Sequence, residues 1–198
     1  MFVTFEGIDG SGKTTQARLL VERLRAEGRD VLATREPGGT ALGEAIRELL
    51  LHGTHVAPWA EAALYAASRA QHVEEVIRPA LKRGAIVVCD RYLDSSAVYQ
   101  GVGRELGLER VMELNLTAVD GLLPDRTILL RIDPSEAASR MSRDLDRIER
   151  EGAAFLRRVH EAYDALAARF ATRYVVVDAT RPAEEQAEEI HGAVRGRP

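Results

Sequence analysis

The chain has 198 residues, which is enough for one domain with a substantial hydrophobic core. Hydrophobic residues make up 45% and charged residues 29%, as in ordinary folded proteins, and the net charge of −4 argues against general nucleic-acid binding through a basic surface. No apolar run approaches the ~18 residues of a membrane span, and the chain enters a predicted strand at once, so we expect neither a membrane segment nor a signal peptide.

The single cysteine, Cys89, lies in the apolar run 85–89, which predicts a buried thiol. A lone cysteine excludes an internal disulfide bond. We therefore expect a cytoplasmic protein. The histidines show no metal-ligand spacing and are predicted to lie at the surface or to be partly buried: His52, His55, His72, His160 and His191.

Predicted strands and helices alternate along the whole chain. Apolar, β-branched runs indicate strands at 1–6, 30–34, 85–89, 127–132 and 174–178. Helical spacing or helix start signals indicate helices at 13–27, 40–51, 58–82, 94–100, 108–114, 135–140, 151–170 and 182–194. This order predicts one α/β domain over residues 1–198, with a doubly wound, five-stranded parallel sheet flanked by helices. Ligands should then bind at the carboxyl ends of the strands.

A glycine-rich segment separates the first predicted strand from the first helix. Residues 7–14 (GIDGSGKT) fit the pattern G-x-x-x-x-G-K-[ST] of a phosphate-binding P-loop. Its backbone N–H groups and the helix N-terminus would surround a phosphate. Lys13, one of only two lysines beside 25 arginines, would reach the β- and γ-phosphates, and the Thr14 hydroxyl would hold magnesium. The predicted nucleotide-binding loop comprises Gly7, Ile8, Asp9, Gly10, Ser11, Gly12, Lys13 and Thr14.

Charged residues follow the second and third strands. Asp90 follows an apolar strand, as does the acid that holds magnesium in P-loop proteins, although it could instead cap a helix. Arg91 could bridge donor and acceptor phosphates, because a planar guanidinium offers five donors. Arg35 could bind an anionic acceptor. The segment after it also reads as a Pro-Gly turn with Thr40 as a helix N-cap.

The long predicted helix carries Tyr65 and Arg69 one turn apart, so they share a face. An aromatic ring and an arginine at the strand tips could stack on and hydrogen-bond a base. A core tyrosine and a surface arginine is the alternative.

Four arginines at spacings of 3, 4 and 3 follow the fourth strand, which predicts one stripe on a helix: Arg140, Arg143, Arg147 and Arg150. The stripe could be a solvated surface paired with its neighbouring acids. It could also belong to a lid, at about 140–150, that closes over nucleotide phosphates, stabilises the transferring phosphoryl group and excludes water.

Taken together, these motifs resemble the thymidylate kinase family, whose members phosphorylate dTMP. The resemblance is carried by residues 5–16 (FEGIDGSGKTTQ), 34–40 (TREPGGT), 67–72 (ASRAQH), 90–101 (DRYLDSSAVYQG), 124–125 (PD) and 145–149 (LDRIE), in family order. The P-loop alone would be generic; Asp9 within it and the second and fourth segments are more specific. Tyr65 departs mildly from the family, in which phenylalanine is frequent.

The resemblance implies a role for individual residues. Asp9 would bind the deoxyribose 3′-OH, Tyr65 would stack on thymine, and Arg69 would hydrogen-bond a thymine carbonyl. The remaining acceptor-site roles are base-edge contact by Ser96 and Gln100, exclusion of a 2′-OH by Tyr99, and binding of the acceptor phosphate by Arg35 and Arg91. Arg140 and Arg181 would bind ATP, and Arg143 and Arg147 would act in catalysis with Lys13, Asp9 and Arg91. No arginine lies at residues 8–11 of the P-loop, which resembles the bacterial arrangement with a basic lid.

By this resemblance we expect ATP and dTMP as substrates, Mg²⁺ held at Thr14 and Asp90, and a homodimer. Another nucleoside monophosphate or deoxynucleoside kinase is the nearest alternative. A GTP-binding switch would carry an Asn-Lys-x-Asp motif, but the only asparagine, Asn115, is followed by leucine. A non-catalytic nucleotide-binding module is disfavoured because Lys13, Thr14 and Asp90 are intact.

Overall fold

The computed structural model describes residues 1–140 and 147–195, and within them five strands form one parallel sheet in the order β2–β3–β1–β4–β5. The strands are β1 (Phe2–Glu6), β2 (Val31–Arg35), β3 (Ile86–Asp90), β4 (Arg126–Arg131) and β5 (Tyr174–Asp178). The change of direction at β1 makes the sheet doubly wound, so the predicted fold class is confirmed.

Helices cover the sheet in the order that the sequence predicts. They are α1 (Lys13–Ala26), α2 (Ala41–His52), α3 (Pro58–His72), α4 (Arg78–Lys82), α5 (Leu93–Ser96), α6 (Leu108–Ala118), α7 (Pro134–Ser139), α8 (Ala153–Arg169) and α9 (Ala183–Arg195). None of these helices is both long enough and apolar enough to cross a membrane.

Two segments of π-helix interrupt the helical stretches. One, Val73–Ile77, joins α3 to α4, so the predicted helix over 58–82 is present but changes its hydrogen-bond register in the middle. Pro79 follows in the first turn of α4, and because it has no N–H to donate to the preceding turn, it is accommodated where the helix changes register. The other π segment, Ala97–Gly103, follows α5 and carries two predicted site residues, Tyr99 and Gln100. Such segments are frequent at functional sites.

Strand register brings the predicted site residues to one edge of the sheet. Phe5 of β1 and Arg35 of β2 both pair with Asp90 of β3. All five residues of β1 are buried, as its apolar sequence predicts for a central parallel strand. Cys89 is fully buried in the core, also as predicted.

The arginine stripe is not one helical face in the described residues. Arg140 caps the end of α7, Arg147 lies in a turn, and Arg150 lies in a short 3₁₀ helix, Glu149–Glu151. The prediction of a single stripe is therefore wrong for these three arginines. Arg143 lies outside the described residues.

Candidate active site

The loop between β1 and α1 has the backbone geometry of a phosphate cradle. Gly10 has φ +82°, and a Cβ there would lie 2.2 Å from the carbonyl oxygen of Ala137, so only glycine fits against α7. Gly12, at φ +91°, turns the chain into α1 in a left-handed conformation. The loop thus directs the N-terminus of α1 towards the cleft, where its positive dipole end attracts a phosphate.

Lys13 lies at the start of α1 with only 6% of its surface exposed. Its Nζ donates to the Ile8 carbonyl at 2.8 Å and lies 3.7 Å from a carboxylate oxygen of Asp9. Burial, and then the nearby Arg91 guanidinium, lower the pKa of Lys13. The lysine is therefore held by the loop in position to meet an incoming anion.

Thr14 and Asp90 meet across the cleft. The Thr14 hydroxyl donates to Asp90 Oδ2 at 2.6 Å. A hydroxyl and a carboxylate side by side offer the hard oxygen ligands that Mg²⁺ takes in phosphate sites, usually together with waters and substrate oxygens. This pair therefore fits a magnesium site, as the sequence predicts for the same two residues.

Arg91 is held in an unusual backbone conformation directly after β3. Its φ is +69°, a value that residues other than glycine adopt rarely and that concentrates at functional sites. Its guanidinium donates to Asp9 Oδ1 at 2.6 Å and to Ser95 Oγ at 3.1 Å, and lies 5.1 Å from the centre of the Tyr99 ring. Burial alone would lower the pKa of Arg91, but the Asp9 carboxylate raises it well above its ordinary value, so the charge is permanent.

A buried carboxylate, Glu6, lies behind Arg91. Glu6 accepts from the Tyr92 N–H at 2.8 Å, from the Ser95 hydroxyl at 2.6 Å and from the Tyr163 hydroxyl at 2.9 Å. Burial, and then the charge of Asp94, raise the pKa of Glu6 to about 7. Because Ser95 also receives the Arg91 bond, Glu6 supports the arginine from within the core.

Among the described residues, two neighbouring cavities share Asp9, Glu36, Arg47 and Arg91 in their walls. The larger, of about 830 Å³, is open and is lined by the loop, Thr14, Asp90 and Arg140. The smaller, of about 110 Å³, is lined by the predicted base-reading residues, namely Tyr65, Arg69, Ser96, Tyr99 and Gln100. The structure thus brings the predicted donor and acceptor residues into two adjoining spaces, with two carboxylates and two guanidinium groups in the shared wall.

Arg69 is a core residue and not the surface arginine of the alternative interpretation, because only 1% of it is exposed. It donates to Glu36 Oε2 at 2.6 Å, to Ser96 Oγ at 3.1 Å and to the Tyr92 carbonyl at 3.1 Å. The side-chain oxygen of Asn115 is a further acceptor. This set of acceptors fixes the guanidinium at the wall of the smaller cavity.

Sequence reasoning missed the residues that hold Arg69. Glu36 is buried and accepts from both Arg69 and His72, whose other ring nitrogen lies 2.6 Å from Thr34 Oγ1. His72 and His191 are fully or almost fully buried, so the surface or partly buried placement was wrong for both. The possible ligand atoms of Glu36, His72 and Cys89 lie within 4.8 Å of one another, but the Arg69 guanidinium already neutralises Glu36 and opposes a cation there. In the sequence, the only indication that Glu36 matters was its place in segment 34–40, which resembles the family.

The remaining predicted arginines lie in different settings. Arg35 is exposed beside the larger cavity and pairs with Glu44 at 2.9 Å. Arg140 lines that cavity and donates to the Ala179 carbonyl at 2.8 Å, whereas Arg181 is exposed and pairs with Glu185 and Glu189 on α9. Arg147 does not extend into solvent, because it donates to the Leu50 carbonyl at 2.8 Å and pairs with Glu61.

The fold and the site together define a P-loop phosphotransferase. The features that define it are the doubly wound parallel sheet, the P-loop with its lysine, the Thr–Asp pair and the adjoining pocket. The profile of the thymidylate kinase family matches residues 5–190. The chain belongs to the thymidylate kinase family, the kinases that phosphorylate dTMP to dTDP with ATP as phosphoryl donor.

Individual relatives agree with this assignment over nearly their full length. The chain is 54% identical to a thymidylate kinase of Leifsonia xyli over 201 residues, covering 100% of this chain and 95% of the relative. It is 53% identical to a thymidylate kinase of Bifidobacterium longum, covering 93% and 92%. A crystal structure of thymidylate kinase from Ehrlichia chaffeensis superimposes with a TM-score of 0.81 at 33% identity and covers 98% of each chain.

Proposed function

We propose that this kinase binds dTMP in the smaller cavity and ATP with magnesium in the larger one, and transfers the γ-phosphoryl group where the two meet. The observation that carries the proposal is the position of Asp9 and Arg91, which line both cavities and bond each other at 2.6 Å. A group at this boundary can contact the acceptor on one side and the transferring phosphoryl group on the other.

On the acceptor side, Tyr65 stacks on thymine and Arg69 donates to a thymine carbonyl, with Ser96 and Gln100 beside the base edge. All of them line the smaller cavity. The Tyr99 hydroxyl oxygen lies 3.5 Å from Asp9 Oδ2, which suits a site that excludes a 2′-OH and binds the 3′-OH. Arg91, at the boundary of the two cavities, and Arg35, which lines the larger cavity beside it, bind the acceptor phosphate.

On the donor side, residues 7–14 surround the β- and γ-phosphates, Lys13 supplies a point charge, and Arg140 lines the same cavity. Arg181, which lies just before α9, contacts the nucleotide. Thr14 and Asp90 hold Mg²⁺, which when bound neutralises charge that develops on the phosphate oxygens.

Catalysis by these residues is mainly charge neutralisation and alignment, because two anions must be brought together. The acceptor phosphate is already ionised near neutral pH, so the chain needs no strong general base. Lys13 and Arg91 offset the negative charge from two sides. A lid at about 140–150, whose central residues lie outside the described residues, would exclude water, with Arg143 acting on the phosphoryl group. Arg147 would have to leave Glu61 and the Leu50 carbonyl to act there as well.

We also propose a cytoplasmic homodimer in which each chain is one domain. Support for the dimer comes from α2 and α3, which pack together and carry three exposed large side chains, Leu42, Leu49 and Trp59. An apolar face of this kind is frequent at subunit interfaces. Light scattering should give the mass of a dimer, and Leu49→Glu should shift it towards a monomer. A wild-type monomer at micromolar concentration would reject the dimer.

The function is tested by ADP release from ATP and magnesium with a panel of dTMP, dUMP, dCMP, dGMP and dAMP. We expect a strong preference for dTMP, with dUMP second. A preference for another monophosphate would overturn the assignment of Tyr65, Arg69 and Ser96 but keep the phosphate machinery. ADP release that does not depend on an acceptor would contradict the kinase mechanism itself.

A further inference from the structure

A buried carboxylate, Glu61 in the first turn of α3, lies behind the smaller cavity. It is fully buried, although the cost of burying an unpaired carboxylate is high. Among the described residues, it contacts donors from two further parts of the chain. Gln100 Nε2 donates to Oε1 at 2.9 Å, Arg104 donates to both oxygens at 3.2 Å, and Arg147 Nη2 lies 2.7 Å from Oε2.

These contacts hold Glu61 in one position. Arg104 binds it in a two-pronged pair and is itself paired with Glu151 at 2.6 Å. Arg147 is fixed by its bond to the Leu50 carbonyl. Two guanidinium groups offset the buried negative charge and leave Oε1 directed at Gln100.

The chemistry of the two partners decides which way the Gln100 amide faces. A carboxylate has only acceptor atoms, whereas an amide has a donor end and an acceptor end. The NH₂ group of Gln100 must therefore face Glu61, and its oxygen must lie on the opposite side. Gln100 lines the smaller cavity, so its oxygen is the end available to a bound base.

We propose that Glu61 is a positioning residue for base selection, which orients Gln100 so that the amide oxygen accepts a hydrogen bond from the base. Thymine and uracil carry a donor at N3, whereas cytosine carries an acceptor there. The oriented amide therefore favours a pyrimidine with an N3–H and opposes cytosine. This inference rests on the proposed binding of the dTMP base in the smaller cavity.

The decisive variant is Glu61→Gln, which keeps the shape and removes the acceptor-only character. The new amide can turn its own NH₂ towards Gln100, and the Gln100 amide then turns over and presents a donor to the base. We expect the ratio of kcat/KM for dTMP to that for dCMP to fall about tenfold or more. Glu61→Asp keeps a carboxylate and should retain more of the ratio.

Two comparisons separate orientation from general damage. Glu151→Gln removes the second carboxylate that pairs with Arg104, whereas Gln100 keeps its bond to Glu61. This variant should leave the ratio unchanged. In a Gln100→Ala background, Glu61→Gln should change the ratio by less than about twofold, because a residue that acts through Gln100 has no effect without it. An equal tenfold change in both backgrounds would overturn the proposal.

The single and double variants of Glu61 and Gln100 also distinguish a failure of this inference from a failure of the proposed function. If Gln100→Ala leaves the ratio at the wild-type value, Gln100 does not contact the base and the assignment of the cavity is wrong. If Gln100→Ala lowers the ratio but Glu61→Gln does not, the cavity assignment stands and the role of Glu61 is refuted.

A measurement on the unmodified protein covers the case in which the Glu61 variants do not fold. An oxygen acceptor at Gln100 should protect the N3 imino proton of bound dTMP from exchange with water, so that its ¹H NMR signal is observed with wild type and lost with Gln100→Ala. No protected imino signal in the wild-type complex would overturn the proposal.

Discussion

The two cavities are built in different ways. The larger one is lined by the loop 7–14, whose backbone conformation follows from its glycines, by the helix α1 that follows it, and by groups at the strand ends together with Arg47 and Arg140. The smaller one is lined by side chains from separate helices and loops, and these side chains are bonded to one another in the core. A phosphate needs little more than N–H groups and charge, whereas a base needs donors and acceptors at fixed positions.

Because of this difference, some residues of the site contribute mainly to catalysis and others contribute also to stability. Lys13 bonds within the loop itself, to the Ile8 carbonyl, so its side chain can be removed with less effect on the core than a residue of the core network. Arg69, in the wall of the smaller cavity, and Glu61, behind it, are both parts of the core, so their removal leaves buried charges without partners. Substitutions on the two sides should therefore affect activity and stability in opposite proportions.

The largest effect is expected for Lys13→Ala, on the side of the larger cavity. Turnover should fall about a thousandfold, since a positive charge at the transferring phosphoryl group is lost. Melting temperature should change little. Lys82→Ala, at the only other lysine and on the surface, is the matched control and should retain full turnover. If Lys13→Ala keeps wild-type turnover, the loop is not the phosphate site.

Arg69→Met tests the side of the smaller cavity. The free energy of unfolding should fall by about 3–5 kcal/mol, because Glu36 is left buried without its arginine. Arg35→Met is the counterpart on the surface, where Arg35 pairs with an exposed Glu44, and should cost less than about 1 kcal/mol. Urea unfolding measures both values. Equal losses for the two variants would remove the proposed contrast.

Tyr99→Ala tests the boundary between the cavities. The Tyr99 ring packs near Phe155 and Tyr163 and carries the Arg91 guanidinium on its face. Selectivity for dTMP over the corresponding ribonucleotide should fall about tenfold when the ring is removed, because space opens at the 2′ position. Tyr99→Phe keeps the ring and should keep most of the selectivity. Unchanged selectivity in Tyr99→Ala would refute the exclusion role.

The smallest effect concerns pH and the buried Glu6 behind Arg91. Its pKa is raised from 4.5 to about 7, so between these values the folded protein keeps a proton that the unfolded chain has released. Stability from this group is therefore fully present below pH 4.5 and is lost as pH rises to about 7. Thermal melts across this range should show Glu6→Gln gaining stability relative to wild type as pH rises.

The exposed Glu22 supplies the control for that experiment. Glu22→Gln should leave the melting temperature close to that of wild type, because the side chain lies at the surface and pairs there only with the exposed Arg18 in a weak ion pair. A Glu6→Gln profile parallel to wild type would show that Glu6 titrates at its ordinary value.

Much of the molecule follows from local pattern. The five strands, the doubly wound class and the loop were predicted, because apolar β-branched runs and a glycine motif act over a few residues. The predicted arginine stripe was wrong because Arg147 pairs with Glu61, a residue far away in sequence. Spacing along the chain contains no information about such a partner.

The sequence by itself determined the phosphate loop, the Thr14 and Asp90 pair and the family, since each depends on residues in a short, ordered motif. Only the tertiary structure decided which polar residues are buried together. Glu36 holds Arg69, Glu61 holds Gln100, and Glu6 supports Arg91 through Ser95. A buried charge without a partner is costly, so each buried carboxylate lies beside hydrogen-bond donors. Packing of the folded chain decides which donors these are, and distance along the chain does not.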